Sequence, residues 1–154
     1  MSMTVEQRLQ TLEDILAITE LKANYCNAAD GGWDRPSHDY DTVASLFVED
    51  GVWDAGGEIG RGEGREGIRA LFKGFQRFPF AFHRISNSVI KVQGDTATGE
   101  WHVLVPITVE NNQSIWIGGI YNDHFVRKSE GWKFKSLKFT RAFTTQNPQG
   151  WKVG

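Results

Sequence analysis

The two residues best suited to carry chemistry are an aspartate and a histidine, Asp30 and His83. A neutral imidazole held by a carboxylate is a usable general base near pH 7, because the carboxylate fixes the tautomer and stabilises the imidazolium that forms. Asp30 stands at the predicted end of a helix, where a carboxylate faces the negative end of the helix dipole. It either caps the following glycine turn or points into a pocket, and His83 is either a base or a core histidine.

Two further polar side chains are candidates for assisting such a base. The phenol of Tyr25 can donate a hydrogen bond to a substrate oxygen, although its spacing on the helix places it about 140° around the axis from Asp30. Arg141 shares a strand face with Leu137 and Phe139, and an arginine on an apolar face requires an acceptor. It binds either a leaving group or an enolate oxygen, or it extends to solvent or pairs with an acidic neighbour.

The other histidines and the glycine-rich segment favour structural roles. His102 is expected on the outer face of its strand because the adjacent Trp101 takes the inner face. His38 and His124 are expected in solvent, and the histidines include no closely spaced ligand pair, so we expect no metal site. The glycine-rich residues 56–64 lack the Gly-Lys-Ser/Thr sequence of a phosphate-binding loop, which argues against a nucleotide cofactor.

Composition narrows the classes of partner and compartment. The chain has 154 residues, 17 basic and 19 acidic side chains and a net charge of −2, which fits one domain over residues 1–154. A slightly negative chain lacks the basic excess that proteins binding nucleic acids or anionic membranes carry. We therefore expect a small-molecule ligand and neither nucleic acid nor membrane as a partner. The single cysteine, Cys26, has no adjacent base, and no secretion signal is recognisable. We therefore expect a cytoplasmic protein.

Helices are predicted in the first half of the chain. Thr4 and Gln7 have the spacing of a capping box, and leucines recur at helical spacing after them, which predicts a helix from about Val5 to about Ala29. A short helix is predicted at residues 41–47. A third helix is predicted to begin near Gly64 and to end before Pro79.

Strands are predicted in the second half. Alternating runs extend over residues 80–92, 96–109, 114–127 and 132–143, separated by turns. Helices followed by a long antiparallel meander indicate an α+β fold. A strongly curved sheet with the N-terminal helices in its concave face would form a cone with an interior pocket. Residues 145–154 are expected to be a flexible tail.

The pocket is expected to be aromatic and the outer surface to self-associate. The side chains expected to face inward and bind substrate are Trp53, Phe72, Phe82, Trp101, Trp116 and Leu137. Such a lining favours a small, rigid, hydrophobic ring as substrate. The convex face of the meander is the expected interface of a homodimer or homotrimer.

These motifs resemble the SnoaL-like branch of the nuclear transport factor 2-like family. The resemblance is carried by the first helix from Ile15 through Tyr25 to Asp30, by the start of the third helix at residues 64–68, and by His83. Residues 112–121 and 131–134 add to it, so that nearly the whole chain is covered. The resemblance implies a cone-shaped, cystatin-like α+β barrel and a family that includes scytalone dehydratase, bile-acid dehydratase and hexachlorocyclohexane dehydrochlorinase.

The resemblance also implies roles for the candidate residues. His83 would abstract a proton and Asp30 would orient it, without metal or cofactor. Tyr25 matches an active-site tyrosine of the bile-acid dehydratase. Leu137 stands where the dehydrochlorinase has an arginine, which argues against the same halide elimination, and the resemblance implies that Arg141, further along the same strand face, could substitute for it.

A cofactor-independent lyase is the function that this resemblance favours. Two alternatives remain open. One is an isomerase or cyclase that uses the same dyad. The other is a non-catalytic ligand-binding or assembly subunit, such as the small subunit of a ring-hydroxylating dioxygenase.

Overall fold

Helices come first along the chain and long strands last. The computed structural model describes residues 3–152. The helices are α1 (Val5–Ala29), α2 (Tyr40–Ser45) and α3 (Gly64–Phe75). The strands are β1 (Phe47–Asp54), β2 (Arg61–Glu63), β3 (Phe80–Ala81), β4 (Arg84–Gln93), β5 (Thr96–Thr108), β6 (Ser114–Lys128) and β7 (Gly131–Gln146).

The strands form one mixed sheet in the order β2-β1-β7-β6-β5, in which β3 and β4 both pair with β5. The strands β5, β6 and β7 make the predicted antiparallel meander, whereas β1 pairs with β7 in parallel. Register shifts in the β6–β7 pair, between Gly118 and Gly119 and between His124 and Phe125, bend this meander. The sheet curls into a half-barrel that holds the helices, which confirms the predicted α+β cone.

Helix α1 supplies the filling of the concave face. Its capping box is formed, with the Thr4 hydroxyl accepting from the Gln7 backbone N–H and the Gln7 side chain accepting from the Thr4 N–H. The buried side of the helix carries Asp14, Ile18, Leu21, Lys22, Tyr25, Cys26 and Ala29. The leucines whose spacing predicted the helix, at positions 9, 12 and 16, lie on its exposed side.

Two ion pairs attach α1 to the meander. The Arg127 guanidinium donates to both carboxylate oxygens of Asp14, at 2.7 and 2.8 Å. Deeper in the cone, Lys22 Nζ lies 2.7 Å from Asp123 Oδ2, and both side chains are fully buried. Burial raises the pKa of the Asp123 carboxyl to about 6. Because two charges are enclosed here, the pair holds the helix in one position only if both partners are present.

The predicted strand at residues 80–92 is interrupted at Phe82 and His83, which separate β3 from β4. Strand β7 continues past the predicted end to Gln146, within the region expected to be a flexible tail. Beyond β7, the Trp151 ring packs against the Trp116 ring, with 5.1 Å between the ring centroids. The last two residues of that expected tail, 153 and 154, lie outside the described residues. Between residues 3 and 152, no helix combines the length and apolar character that crossing a membrane requires.

Candidate active site

The end of α1 and the β3–β4 junction meet at a two-way backbone bridge. The Gly31 N–H donates to the Ala81 carbonyl, and the Ala81 N–H donates to the Gly31 carbonyl, each at 3.0 Å. A Cβ atom on Gly31 would lie 2.6 Å from the Pro36 carbonyl oxygen, so only glycine fits at this crossing. The bridge brings the residue before Gly31 and the second residue after Ala81 side by side, and these are Asp30 and His83.

Asp30 and His83 form a direct contact. Asp30 Oδ1 lies 2.7 Å from His83 Nδ1 and also accepts from the His83 backbone N–H at 2.6 Å. The Asp30 and His83 side chains are 5% and 10% exposed. A carboxylate can only accept, so the ring Nδ1 carries the hydrogen and Nε2 carries a free lone pair. The structure therefore presents His83 in the tautomer that a general base requires.

A cavity of about 330 Å³ opens beside this pair. His83 is part of its wall, and the wall is otherwise mostly apolar. Its aromatic members are Tyr25, Trp53, Phe72, Phe75, Phe78, Tyr121 and Phe139. Three charged side chains, Glu58, Arg77 and Arg141, stand at its solvent-exposed edge. The shape and lining suit a small hydrophobic ligand.

Tyr25 presents a hydrogen-bond donor to this cavity. The Trp53 indole Nε1 donates to Tyr25 Oη at 2.8 Å. Since an indole N–H can only donate, Tyr25 is the acceptor in this bond, and its own hydroxyl hydrogen can be donated to the neighbouring Tyr121 hydroxyl or to a ligand. Burial raises the pKa of the Tyr25 phenol far above its ordinary value. Tyr25 is therefore a neutral donor, and its ring centroid lies 6.4 Å from that of His83.

Arg141 lies at the rim and is paired. Its Nη2 donates to Glu58 Oε2 at 2.5 Å, and its side chain is 42% exposed. Of the two alternatives open for Arg141, the structure thus contains the pairing with an acidic neighbour. The side chain remains part of the cavity edge, so it contacts a ligand only at the entrance.

Four residues expected to line the pocket lie elsewhere. Leu137 is fully buried in the core. Trp101 is buried too, but its ring packs against Phe125 in the core and not in the cavity wall. The expected pocket contained these two side chains because alternation identifies an inward face without showing how deep in the cone a residue lies.

Phe82 and Trp116 depart from the expectation for a different reason. The Phe82 ring packs against the Trp33 ring, with 5.4 Å between the ring centroids, and it lies beneath the Arg84 guanidinium. Trp116 packs against Trp151. Neither ring belongs to the cavity wall. The expectation for these two rings depended on aromatic composition, whereas strand alternation places Phe82 on the face opposite to His83.

Comparison with known proteins identifies the domain family of the chain. The profile of the SnoaL-like domain matches residues 10–138. The chain belongs to the SnoaL-like domain family. This SnoaL-like protein is 27% identical over 137 residues to an uncharacterized protein of Mycobacterium tuberculosis (strain ATCC 25618 / H37Rv), covering 86% of this chain and 88% of that one.

Solved structures of two similar proteins share the fold. Hexachlorocyclohexane dehydrochlorinase LinA-type3 from Novosphingobium barchaimii LL02 superposes with a TM-score of 0.81 at 26% identity, covering 96% of this chain and 99% of that one. An NTF2-like protein with a cystatin-like fold from Novosphingobium aromaticivorans gives a TM-score of 0.67 at 27% identity, with 88% and 86% covered. The SnoaL-like protein thus has the nuclear transport factor 2-like fold that its sequence resembled.

His38 is a site residue that sequence reasoning missed. It was expected in solvent, but in this SnoaL-like protein its side chain is buried and forms part of the cavity wall. Burial lowers its pKa to about 3, so the ring is neutral at physiological pH. Its position depends on the path of the loop after Gly31, for which the local sequence carries no signal.

The buried pair Lys22 and Asp123 was also missed, although the sequence contained a signal. Lys22 follows Ile18 by one helical turn, and Asp123 alternates with Tyr121 and Phe125, so both charges lie on apolar faces. Opposite charges on two buried faces predict a pair. Elsewhere within residues 3–152 of the SnoaL-like protein, histidine, cysteine and acidic side chains nowhere gather in a group of three able to bind a metal ion.

Proposed function

We propose that this chain is a cofactor-independent lyase of the dehydratase or dehydrochlorinase type, acting on a small hydrophobic cyclic substrate. The observation that carries the proposal is the 2.7 Å contact between Asp30 and His83 at the wall of an apolar cavity. The similar dehydrochlorinase structure supports elimination chemistry as the reaction class.

His83 acts as the general base in the proposed reaction. Its Nε2 takes a proton from a substrate carbon, the C–H electron pair forms a carbon–carbon double bond, and the bond to the leaving hydroxide or halide breaks. Asp30 holds the ring and stabilises the imidazolium. Tyr25 donates a hydrogen bond to the departing group, and the proton on His83 completes the release of water or hydrogen halide.

Substitution of the dyad tests the proposal. Wild type, His83→Ala and Asp30→Ala are incubated with a panel of hydroxylated and halogenated ring compounds, and product masses are measured. We expect products lighter by water or hydrogen halide with wild type and about 10²–10⁴-fold slower formation with either variant. His102→Ala, which removes a surface histidine, is the matched control and should retain activity. Full activity in both dyad variants contradicts the proposal.

The same assay separates the alternatives. A product of unchanged mass that also requires His83 identifies an isomerase or cyclase, since the same base can return its proton to another atom. If a larger iron–sulfur subunit co-purifies and no compound is converted, the chain is an assembly subunit.

A further inference from the structure

His38 is the second histidine of the cavity, and the proposed reaction leaves it without a role. The residue is 4% exposed, and its ring packs among Phe72, Phe75 and Phe78, with centroid distances of 6.0, 5.6 and 6.2 Å. Its backbone has a φ of +60°, which residues other than glycine rarely adopt. The surrounding structure thus holds this ring in place at a local cost, a pattern that is found at functional sites.

The neighbouring serine determines which ring nitrogen of His38 carries the hydrogen. Ser37 Oγ donates to the Phe78 carbonyl oxygen at 2.5 Å. A hydroxyl has one hydrogen, so toward His38 this oxygen can only accept. Ser37 Oγ lies 2.9 Å from His38 Nδ1, so Nδ1 is the protonated nitrogen. The other nitrogen, Nε2, therefore carries a lone pair.

That lone pair is open to the cavity. His38 Nε2 makes no hydrogen bond to any residue between 3 and 152. Within that range, the side-chain atoms that are both fully enclosed and unpaired are Asp123 Oδ1 and Trp151 Nε1. Since His38 Nε2 is unpaired and is not one of them, it is not fully enclosed. The His38 ring forms part of the cavity wall. The chain thus keeps a second hydrogen-bond acceptor, besides His83 Nε2, in a mostly apolar wall, and it satisfies that acceptor with none of its own groups.

We propose that His38 Nε2 accepts a hydrogen bond from a ring hydroxyl of the ligand, so that the substrate class is a hydroxylated hydrophobic ring. The inference rests on the proposed function in taking this cavity as the substrate site. A ligand without a donor would desolvate Nε2 and leave it unpaired, and a site built around a polar group discriminates strongly against such analogues. His83 supplies the base, and His38 selects and orients the ring.

A matched pair of probes tests the inference by binding alone. Binding of 2-naphthol and of its methyl ether, 2-methoxynaphthalene, is measured by calorimetry. One hydrogen bond is worth about 10-fold in affinity, so wild type should prefer the naphthol by roughly that factor. His38→Phe should reduce the preference to about 2-fold or less, because the ether no longer leaves a buried acceptor unpaired and the naphthol no longer gains a hydrogen bond. His83→Phe, the same change at the other cavity histidine, should keep the preference.

Labelled wild-type protein gives a second readout that does not depend on a variant folding. Nitrogen NMR of the histidine rings should find His38 protonated at Nδ1, and 2-naphthol, but not the ether, should shift the Nε2 resonance. The inference is overturned by a hydrogen on Nε2, by absence of a preference or of binding in wild type, or by a preference that is lost with His83→Phe and kept with His38→Phe. Since no turnover is measured, an inactive dyad would overturn the proposed reaction and leave this result standing.

Discussion

A single oxygen of Asp30 holds both the main chain and the side chain of His83. Asp30 Oδ1 lies 2.6 Å from the backbone nitrogen of His83 and 2.7 Å from its ring Nδ1. The carboxylate therefore fixes the β3–β4 junction and orients the ring at the same time. The negative charge of Asp30 stabilises the imidazolium form of His83, whereas its oxygen accepts the backbone hydrogen bond that stabilises the fold. These two contributions can be separated by mutation.

Asp30→Asn should separate charge from structure. The amide oxygen can still accept from the His83 backbone N–H, but the negative charge that stabilises the imidazolium is lost. We expect kcat/KM to fall by about 10²–10⁴-fold with little change in Tm, whereas Asp30→Ala should also lose about 1–3 kcal/mol of stability through the unpaired N–H. Kinetics and thermal unfolding measure both effects. Wild-type turnover in Asp30→Asn would contradict the role of the charge.

Tyr25→Phe should destabilise the protein through Trp53. The variant leaves the buried Trp53 N–H without the acceptor that it has at 2.8 Å. We expect a loss of about 1–3 kcal/mol in the free energy of unfolding. Adding Trp53→Phe should recover part of that loss, because it removes the unpaired donor. Urea denaturation of the single and double variants measures these free energies. If the losses of the two single variants simply add in the double variant, the unpaired Trp53 N–H is not the cause.

His38 should make stability depend on pH. Burial lowers its pKa from 6.5 to about 3, so between these values the unfolded chain binds a proton that the folded protein does not bind. Stability is therefore lost as pH falls from 6.5 toward 3, by up to about 1.4 kcal/mol per pH unit. The measurement is the difference in unfolding free energy between wild type and His38→Gln at pH 7, 6 and 5. At low pH the unfolding free energy of wild type should fall relative to that of His38→Gln. A difference that stays constant with pH would contradict the prediction.

The Lys22–Asp123 pair should be strongly coupled. Lys22→Met leaves a buried carboxylate without its partner, and Asp123→Asn does the same to the ammonium, so each should cost about 3–5 kcal/mol. The double variant should cost less than the two losses added, because neither charge is left alone. Urea denaturation of all four proteins completes the cycle. Strict additivity would mean that the 2.7 Å contact carries no interaction energy.

Self-association is expected to give a homodimer or a homotrimer. The most exposed large apolar side chains cluster on α1 and just before it, at positions 3, 5, 9, 12 and 16, and Leu104 is exposed on the sheet. Light scattering at micromolar concentration should give two or three times the chain mass. Leu104→Lys should lower it if the convex face of the sheet is the interface, and Leu12→Lys if α1 is. A monomeric wild type would refute the expectation.

The sequence predicted those features whose signals are local. The capping box at Thr4 and the glycines after Asp30 set the predicted bounds of α1, and the structure has the same bounds. At α2 the predicted helix extended to residue 47, but Phe47 instead begins β1, because pairing with β7 outweighs local helical preference. The interruption before His83 likewise follows from the bridge between Gly31 and Ala81, which joins residues distant in sequence.

The candidate site was predictable in part for the same reason. The residue types and the resemblance identified Asp30 and His83, and the structure brings them into contact. Which aromatic rings face the cavity depends on depth within a curved sheet, so Trp101 and Leu137 were misplaced. His38 could not be found at all, because its burial depends on a loop whose path is set by contacts to α3 and Phe78.

The parallel pairing of β1 with β7 has a consequence for how the protein is made. Strand β1 ends at Asp54, and its partner begins only at Gly131. The residues that hold α1, including Asp123 and Arg127, also come late in the chain. A growing polypeptide on the ribosome thus carries α1 before the strands that bury it have been made, and contacts between residues so distant in sequence slow folding. Asp30 and His83 are therefore made well before β7 completes the sheet around α1, so synthesis and final assembly are separate events.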